Sequence, residues 1–210
     1  MLGIELARRK ATSVAQPVGR GMRYARSMRT FDTERLYLRP MDDGDEAFYC
    51  RLYTDADLMR HIAAPMSSER AHRSFRAVLK QQGRSRMIWI ITEHGGEAAC
   101  GILGVFPDDD AAEVGVMLVP QAQARGFAAE VIASIAGTLF RTGRVLRLWT
   151  RHATQNAPAG ALMRNLGFES CAHDRLPPDM PAGEMRWELR REAWAGTYGG
   201  VAVATAESCG

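Results

Sequence analysis

The stretch Ala112–Glu130, AEVGVMLVPQAQARGFAAE, restricts this chain more than any other. Val114, Val116 and Leu118 alternate as a strand does, and Pro120 ends the alternation. Gln121–Arg125 forms a short polar turn, and Gly126 opens an Ala-rich helical run that reaches Phe140. The first turn of such a helix leaves backbone N–H groups unpaired, and the helix dipole adds partial positive charge at the same end. A phosphate or pyrophosphate satisfies both. The turn lacks the Lys and Ser/Thr of a P-loop and the three glycines of a dinucleotide fingerprint. The anion therefore belongs to some other phosphorylated ligand.

Within that turn, Gln123-Ala124-Arg125-Gly126-Phe127-Ala128 reads Q-x-x-G-x-A. It resembles the acetyl-CoA pyrophosphate loop of the GNAT acyltransferase family. About thirty residues on, Asn156–Phe168, NAPAGALMRNLGF, is similar to a later motif of that family. There Asn156 suits a helix N-cap, Pro158 the first helical turn and Gly167 the helix stop. Near the start, Thr33–Met41, TERLYLRPM, resembles the opening strand of the RimJ/RimL-like branch, which often reads T-x-R-L-x-L-R-P. The resemblance spans residues 31–192. It implies an α/β (mixed α+β) fold, with a central twisted mixed sheet of six to seven strands flanked by helices on both faces.

The remaining elements are expected as follows. Strands cover 34–39, 87–92, 98–106, 145–150, 168–172 and 184–190, besides the strand that enters the turn. One or two helices cover 43–60 and 67–82, and another follows Asn156. Asp108–Asp110 are expected on a solvated turn, since three consecutive Asp residues cannot all face one ion. Residues 1–30 carry seven Arg/Lys against Glu5, a net of +6, which leaves −3 for the rest of a chain of net charge +3. That arm is expected to be a flexible basic leader, and residues 193–210, rich in Gly, Ala and Ser, to fray. The arm has too little aromatic content for a base-stacking surface, so nucleic acid is not the expected partner. No apolar run is long enough to span a membrane, and no apolar core follows the basic residues as in a secretory signal. The four cysteines and five histidines are scattered singly, without metal-site or disulfide spacing. A cytoplasmic protein without a metal is expected.

The family resemblance implies acyl transfer from acetyl-CoA, as co-substrate, to an amine. The amine must lose a proton and the leaving thiolate must be stabilised or protonated. Gln123 to Ala128 are implied as the pyrophosphate cradle, and the backbone of Met117, Leu118 and Val119 as donors to the thioester carbonyl and pantetheine. Asn156 and the following turn at Ala159 are implied along the pantetheine arm, and Arg164 at the 3′-phosphate. Glu113, in the A-E-x-G position, is the candidate base. Its face of the strand is shared with Gly115, opposite Val114 and Val116. The general acid departs from the family. The usual Tyr position is Met163 and the usual Ser position is Ala159, neither of which donates a proton. His152, just past a strand, is the candidate in their place, with Tyr198 and Cys171 behind it. The acceptor is expected to be a protein or peptide amine, at a surface formed by 42–85 and 173–187. A longer acyl-CoA, admitted by a tunnel near Gly101 and Gly104, a small-molecule amine, and a non-catalytic acyl-CoA-binding module are the alternatives. A homodimer is compatible with the resemblance.

Overall fold

The structure, a computed structural model, describes residues 30–141, 144–171 and 180–198, without the side chains of 196–198. The basic leader, most of the 173–187 segment before Met180 and the end of the chain lie outside these residues. One eight-stranded sheet, in the order β1-β2-β3-β4-β5-β6-β8-β7, organises the rest. Its strands are β1 (Phe31–Asp32), β2 (Leu36–Pro40), β3 (Met87–Glu93), β4 (Ala99–Asp108), β5 (Ala111–Leu118), β6 (Arg147–Ala153), β7 (Glu169–Ser170) and β8 (Glu184–Arg190). Eight strands exceed the six to seven expected, because β1, two residues long, is too short to show a period in sequence, while β7 falls inside the strand expected at 168–172.

All neighbouring pairs are antiparallel except β5 and β6. Period-two alternation divides each strand between two cores. Val114, Val116 and Leu118 of β5 join the face covered by α4 (Phe127–Arg141) and α5 (Ala157–Asn165). Met117 joins the face covered by α1 (Glu46–Thr54), α2 (Ala56–Met59) and α3 (Ser68–Leu79). β3 is apolar at consecutive positions because both its faces are covered: Met87, Trp89 and Ile91 serve one core, Ile88 and Ile90 the other. Gly101 permits close strand packing: a Cβ there would lie 2.5 Å from both Leu118 Cδ2 and the Met117 carbonyl oxygen.

Two local expectations change. The helical segment 43–60 is broken at Asp55, whose extended backbone and side chain cap α2 through the N–H groups of Asp57 and Leu58. The chain after Trp194 does not fray at once, since α6 (Arg191–Tyr198) continues from β8. Its Trp194 packs against Phe140, ring centroids 6.3 Å apart, and lies over Gly137, whose missing side chain leaves the room.

The Thr33–Arg35 motif of the first strand region acquires a physical role. Thr33 Oγ1 donates to Glu130 Oε1 at 2.6 Å, Arg35 N–H to the same oxygen at 2.8 Å, and Arg35 Nε to Oε2 at 2.7 Å. Arg35 Nη1 also donates to the Arg125 carbonyl at 2.9 Å. Arg125 in turn forks onto Glu93 at 2.5 and 2.7 Å. The buried Phe127 ring lies between the two guanidiniums, 4.9 Å from Arg35 Cζ and 4.4 Å from Arg125 Cζ. This clamp fixes the first turn of α4 to the ends of β2 and β3.

Burial raises the Glu130 carboxyl, but its bonds from Thr33 and Arg35 outweigh that and hold it below the ordinary value. A lowered folded-state value contributes stability above the unfolded value of 4.5, lost as pH falls through the folded one. Glu130→Ala is expected to cost about 1–3 kcal/mol at pH 7, since charge-assisted bonds are removed and Arg35 loses its partner. The difference in melting temperature from the parent should shrink as pH is lowered below 4.5, which thermal melts at several pH values would check.

Candidate active site

β5 and β6 pair only at Ala111↔Arg147, Ala112↔Leu148 and Glu113↔Trp149. Beyond that both strands continue, β5 to Leu118 and β6 to Ala153, without pairing to each other. Each is held by its outer neighbour, β4 or β8. The result is a split in the sheet with Glu113 at its closed end.

The register decides which backbone groups face the split. Val119 N–H donates to the Cys100 carbonyl at 2.9 Å, so in an antiparallel ladder its position and every second one before it point at β4. Met117 is thereby directed to β4 as well, while Val116 and Leu118 direct their N–H groups into the split. Of the expected donors Met117, Leu118 and Val119, Leu118 alone faces the opening, and Val116 joins it. The parity also fits the Leu118 carbonyl, which turns away from β4 and accepts from Gln123 Nε2 at 3.0 Å.

At the open end, a short 3₁₀ turn (Pro120–Ala122) leads from β5 to α4. Ala124 and Gly126 adopt left-handed backbone, φ 57° and 81°. A Cβ at Gly126 would meet Arg35 Nη2 at 3.2 Å, so glycine is required there by both conformation and space. The first helical bond of α4 is Glu130 N–H to the Gly126 carbonyl, which leaves the N–H groups of Phe127, Ala128 and Ala129 ahead of the helical ladder. Gln123 and Arg125 were expected along the pyrophosphate. Their side chains instead reach back to Leu118 and Glu93, so this is a cradle of backbone N–H groups. Such a cradle fits a pyrophosphate, which needs donors and a close backbone approach.

On the β6 side, Asn156 caps α5. Its Oδ1 accepts from Ala159 N–H at 3.3 Å, and its carbonyl from Ala159 and Gly160 N–H. Asn156 and Ala159 are both buried, and the Ala159 N–H is already engaged. Arg164 folds back along α5, its Cζ 5.9 Å from the Trp187 ring.

Glu113 and His152 lie on opposite faces of the sheet. Glu113 stands beside Phe106 in register, on the α1–α3 side, with Arg151 Nε 3.6 Å from its Oε1. Arg151 Nη1 also reaches Glu184 Oε2 at 3.3 Å, and the adjacent Arg186 pairs with Glu188 at 3.0 Å and lies 4.3 Å from the Trp149 ring. This half-buried charged ladder is foreshadowed in sequence only by the alternation of Glu184, Arg186 and Glu188 with apolar residues, which gives β8 one charged face. His152 is on the α4–α5 side, stacked on Trp187 at 6.0 Å. Its Nδ1 bonds the Ala153 carbonyl at 2.8 Å, and burial pushes its pKa down. The imidazole therefore stands as a neutral acceptor at Nε2, where the sequence reading asked for a donor.

Burial raises the thiols of Cys50 and Cys100, the latter to about 11, so neither is a ready nucleophile. Among the described residues there is no group of three or more His, Cys, Asp or Glu able to hold a metal ion, and no helix long and apolar enough to cross a membrane. At Gly101, Leu118 and the strand backbone occupy the space that an acyl tunnel would need.

Comparison with known proteins agrees with this arrangement. A family model described as an acetyltransferase (GNAT) domain matches residues 35–169. The uncharacterized N-acetyltransferase p20 of Bacillus licheniformis is 24% identical over 148 residues, covering 68% of this chain and 83% of that protein. The spermidine N-acetyltransferase of Vibrio cholerae, solved with CoA and spermine, superposes with a TM-score of 0.63 at 16% identity, over 76% of this chain and 97% of that one. The ribosomal L7/L12 α-N-protein acetyltransferase RimL, solved with coenzyme A, does so with a TM-score of 0.65 at 15% identity, over 79% of this chain and 99% of that one. With the family match covering the split sheet, the N–H cradle and the α5 cap together, the chain belongs to the GNAT acetyltransferases, enzymes that transfer an acyl group from acyl-CoA.

Proposed function

We propose that this enzyme acetylates the primary amine of a protein or peptide in the manner of the RimJ/RimL-like branch, by direct attack on acetyl-CoA in a ternary complex. The observation that carries the reading is the split between β5 and β6, with the α4 cradle at its mouth and Glu113 at its closed end. The cradle is suited to the pyrophosphate, Val116 and Leu118 N–H to carbonyl groups of the extended arm, and Asn156 to the same arm from the opposite side. Glu113 takes the first proton from the acceptor ammonium on the α1–α3 face. The carboxylates of Glu113, Glu184 and Glu188 favour a cationic acceptor there, and Arg151 and Arg186 hold them in place. The similarity to RimL supports a peptide N-terminus, while that to the spermidine enzyme supports a polyamine. The free cysteines among the described residues, Cys50, Cys100 and Cys171, suit a reducing cytoplasm.

A screen of peptides with free N-termini against spermidine and lysine, read by release of CoA thiol from acetyl-CoA, tests the acceptor. Peptide turnover at least tenfold above polyamine turnover supports the proposal, and the reverse order overturns the acceptor class. Glu113→Gln should lower kcat roughly 10²–10⁴-fold, the usual contribution of a positioned base, with KM for acetyl-CoA unchanged. An undiminished kcat removes Glu113 from that role. Gly126→Val, forced into left-handed backbone and toward Arg35, should raise the Kd for CoA by about tenfold or more, close to 1.4 kcal/mol, in calorimetry.

A further inference from the structure

Among the described residues, three neighbouring side chains of β6 and β8 on the α4–α5 face carry a buried polar atom without a hydrogen-bond partner: Thr150 Oγ1, His152 Nε2 and Trp187 Nε1. They are 1%, 4% and 4% exposed. They are neighbours, since Thr150 and Trp187 are opposite in the β6–β8 ladder and the His152 and Trp187 rings are 6.0 Å apart and 23° from parallel. Native interiors rarely leave such atoms unpaired. Three together, beside the split, mark a place where a group from outside the chain is received.

His152 is the one among them able to carry a proton. Its Nδ1 bonds the Ala153 carbonyl, which lies on the edge of β6 that faces the split and also accepts from Asn156 N–H at 2.8 Å, so the ring is held where β6 turns into α5. The same bond makes Nδ1 the donor and leaves a lone pair on Nε2. Nε2 faces the first turn of α5, 3.7 Å from the point where a Cβ on Gly160 would stand. On that turn, Ala159 occupies the position where a hydroxyl was expected, and Met163, one turn further, occupies the other.

We propose that His152 Nε2 passes a proton from the attacked amine nitrogen to the departing sulfur. The inference rests on the acetyltransferase reading and extends it to the proton that Glu113 does not take. An ammonium acceptor loses two protons. The first leaves before attack, to Glu113 and then to solvent. The second is released when the C–N bond has formed. Nε2 accepts it, the C–S bond breaks, and the imidazolium returns it to the thiolate as the CoA thiol. Amide, thiol and one solvent proton account for all atoms, and His152 ends neutral as it began. Burial favours the neutral ring that this step needs. Among the described residues, the charged groups that act on it are Arg164 of α5, which disfavours the imidazolium, and, from the opposite face of β8, Glu184, which favours it, while the neighbouring Thr150, Trp187 and Met185 are uncharged.

The test is His152→Gln and His152→Asn in the full chain, with a saturating acceptor. Both should lower kcat about 10²-fold, with KM for acetyl-CoA within about twofold of the parent. The acid-side fall of kcat in the parent, centred below the usual histidine value, should disappear in both. In proton NMR, the Cε1–H resonance lost in His152→Gln should titrate below the usual histidine range in the parent and shift when CoA is added. Retention of kcat within twofold, an unaltered acid limb, or a resonance unmoved by CoA overturns the route through His152. Should His152→Gln fail to fold, Gly160→Val covers Nε2 without removing it and should reproduce the loss, and full activity of Gly160→Val overturns the proposal. Calorimetry separates the two levels. A parent protein that does not bind CoA overturns the acetyltransferase reading itself, whereas CoA binding with unchanged turnover of the variants overturns the histidine route alone.

Discussion

The parting of β5 from β6 after Glu113 and Trp149 is the constraint on which the rest of the molecule turns. Breaking a ladder inside a sheet leaves backbone donors and acceptors that must find partners. The break is sustained because β4 pairs with β5 along its whole length and β8 does the same for β6. The chain itself closes two of the carbonyls released at the open end. Gln123 donates to Leu118 and His152 donates to Ala153. The N–H groups of Val116 and Leu118 remain aimed inward. A split with capped carbonyls and available N–H groups selects a ligand that brings carbonyl oxygens of its own, as an extended amide-bearing arm does.

The anion site proposed at the mouth of the split relies on little side-chain charge. Arg35 and Arg125, which contact the turn, are both committed to carboxylates, Glu130 and Glu93. Glu130 lies in the first turn of α4, where a free carboxylate would compete with an incoming anion for the helix end. Tied to Thr33 and Arg35, it becomes part of the support. What faces outward is the set of N–H groups that precede the helical ladder, with the left-handed Gly126 allowing close approach. The arginines serve the geometry of the turn, and the backbone supplies the attraction.

That distinction also explains what the sequence revealed. The Q-x-x-G-x-A turn, the Asn156 cap and the alternation of β5 and β8 are local patterns, so they were legible as they stood. The commitments of the side chains are not local. Arg125 meets Glu93 across 32 positions and Arg35 meets Glu130 across 95, and no spacing rule announces either. The direction of the backbone donors depended on the register between β4 and β5, which replaced the expected trio, Met117 to Val119, with the pair Val116 and Leu118. The break at Asp55 was legible in principle, since an Asp followed by two helical N–H groups is an N-cap, but it sat inside a longer amphipathic period. The short strand β1 has no period to read.

The opposite placement of Glu113 and His152 follows from parity alone. Glu113 is in register with Trp149, so it shares a face with the odd positions of β6 and not with His152. The face carrying His152 also carries α4 and α5 and hence the anion cradle, while the Glu113 face carries α1 to α3. On the proposed mechanism, a phosphorylated donor anchored on one side and an amine deprotonated on the other meet through the split. An acyl-enzyme would release this requirement, but it needs a reactive side chain, and burial holds the Cys100 thiol near 11, far from a thiolate at neutral pH. Simultaneous occupation of the two faces, with acyl transfer through the gap between β5 and β6, is the route we propose for this sheet.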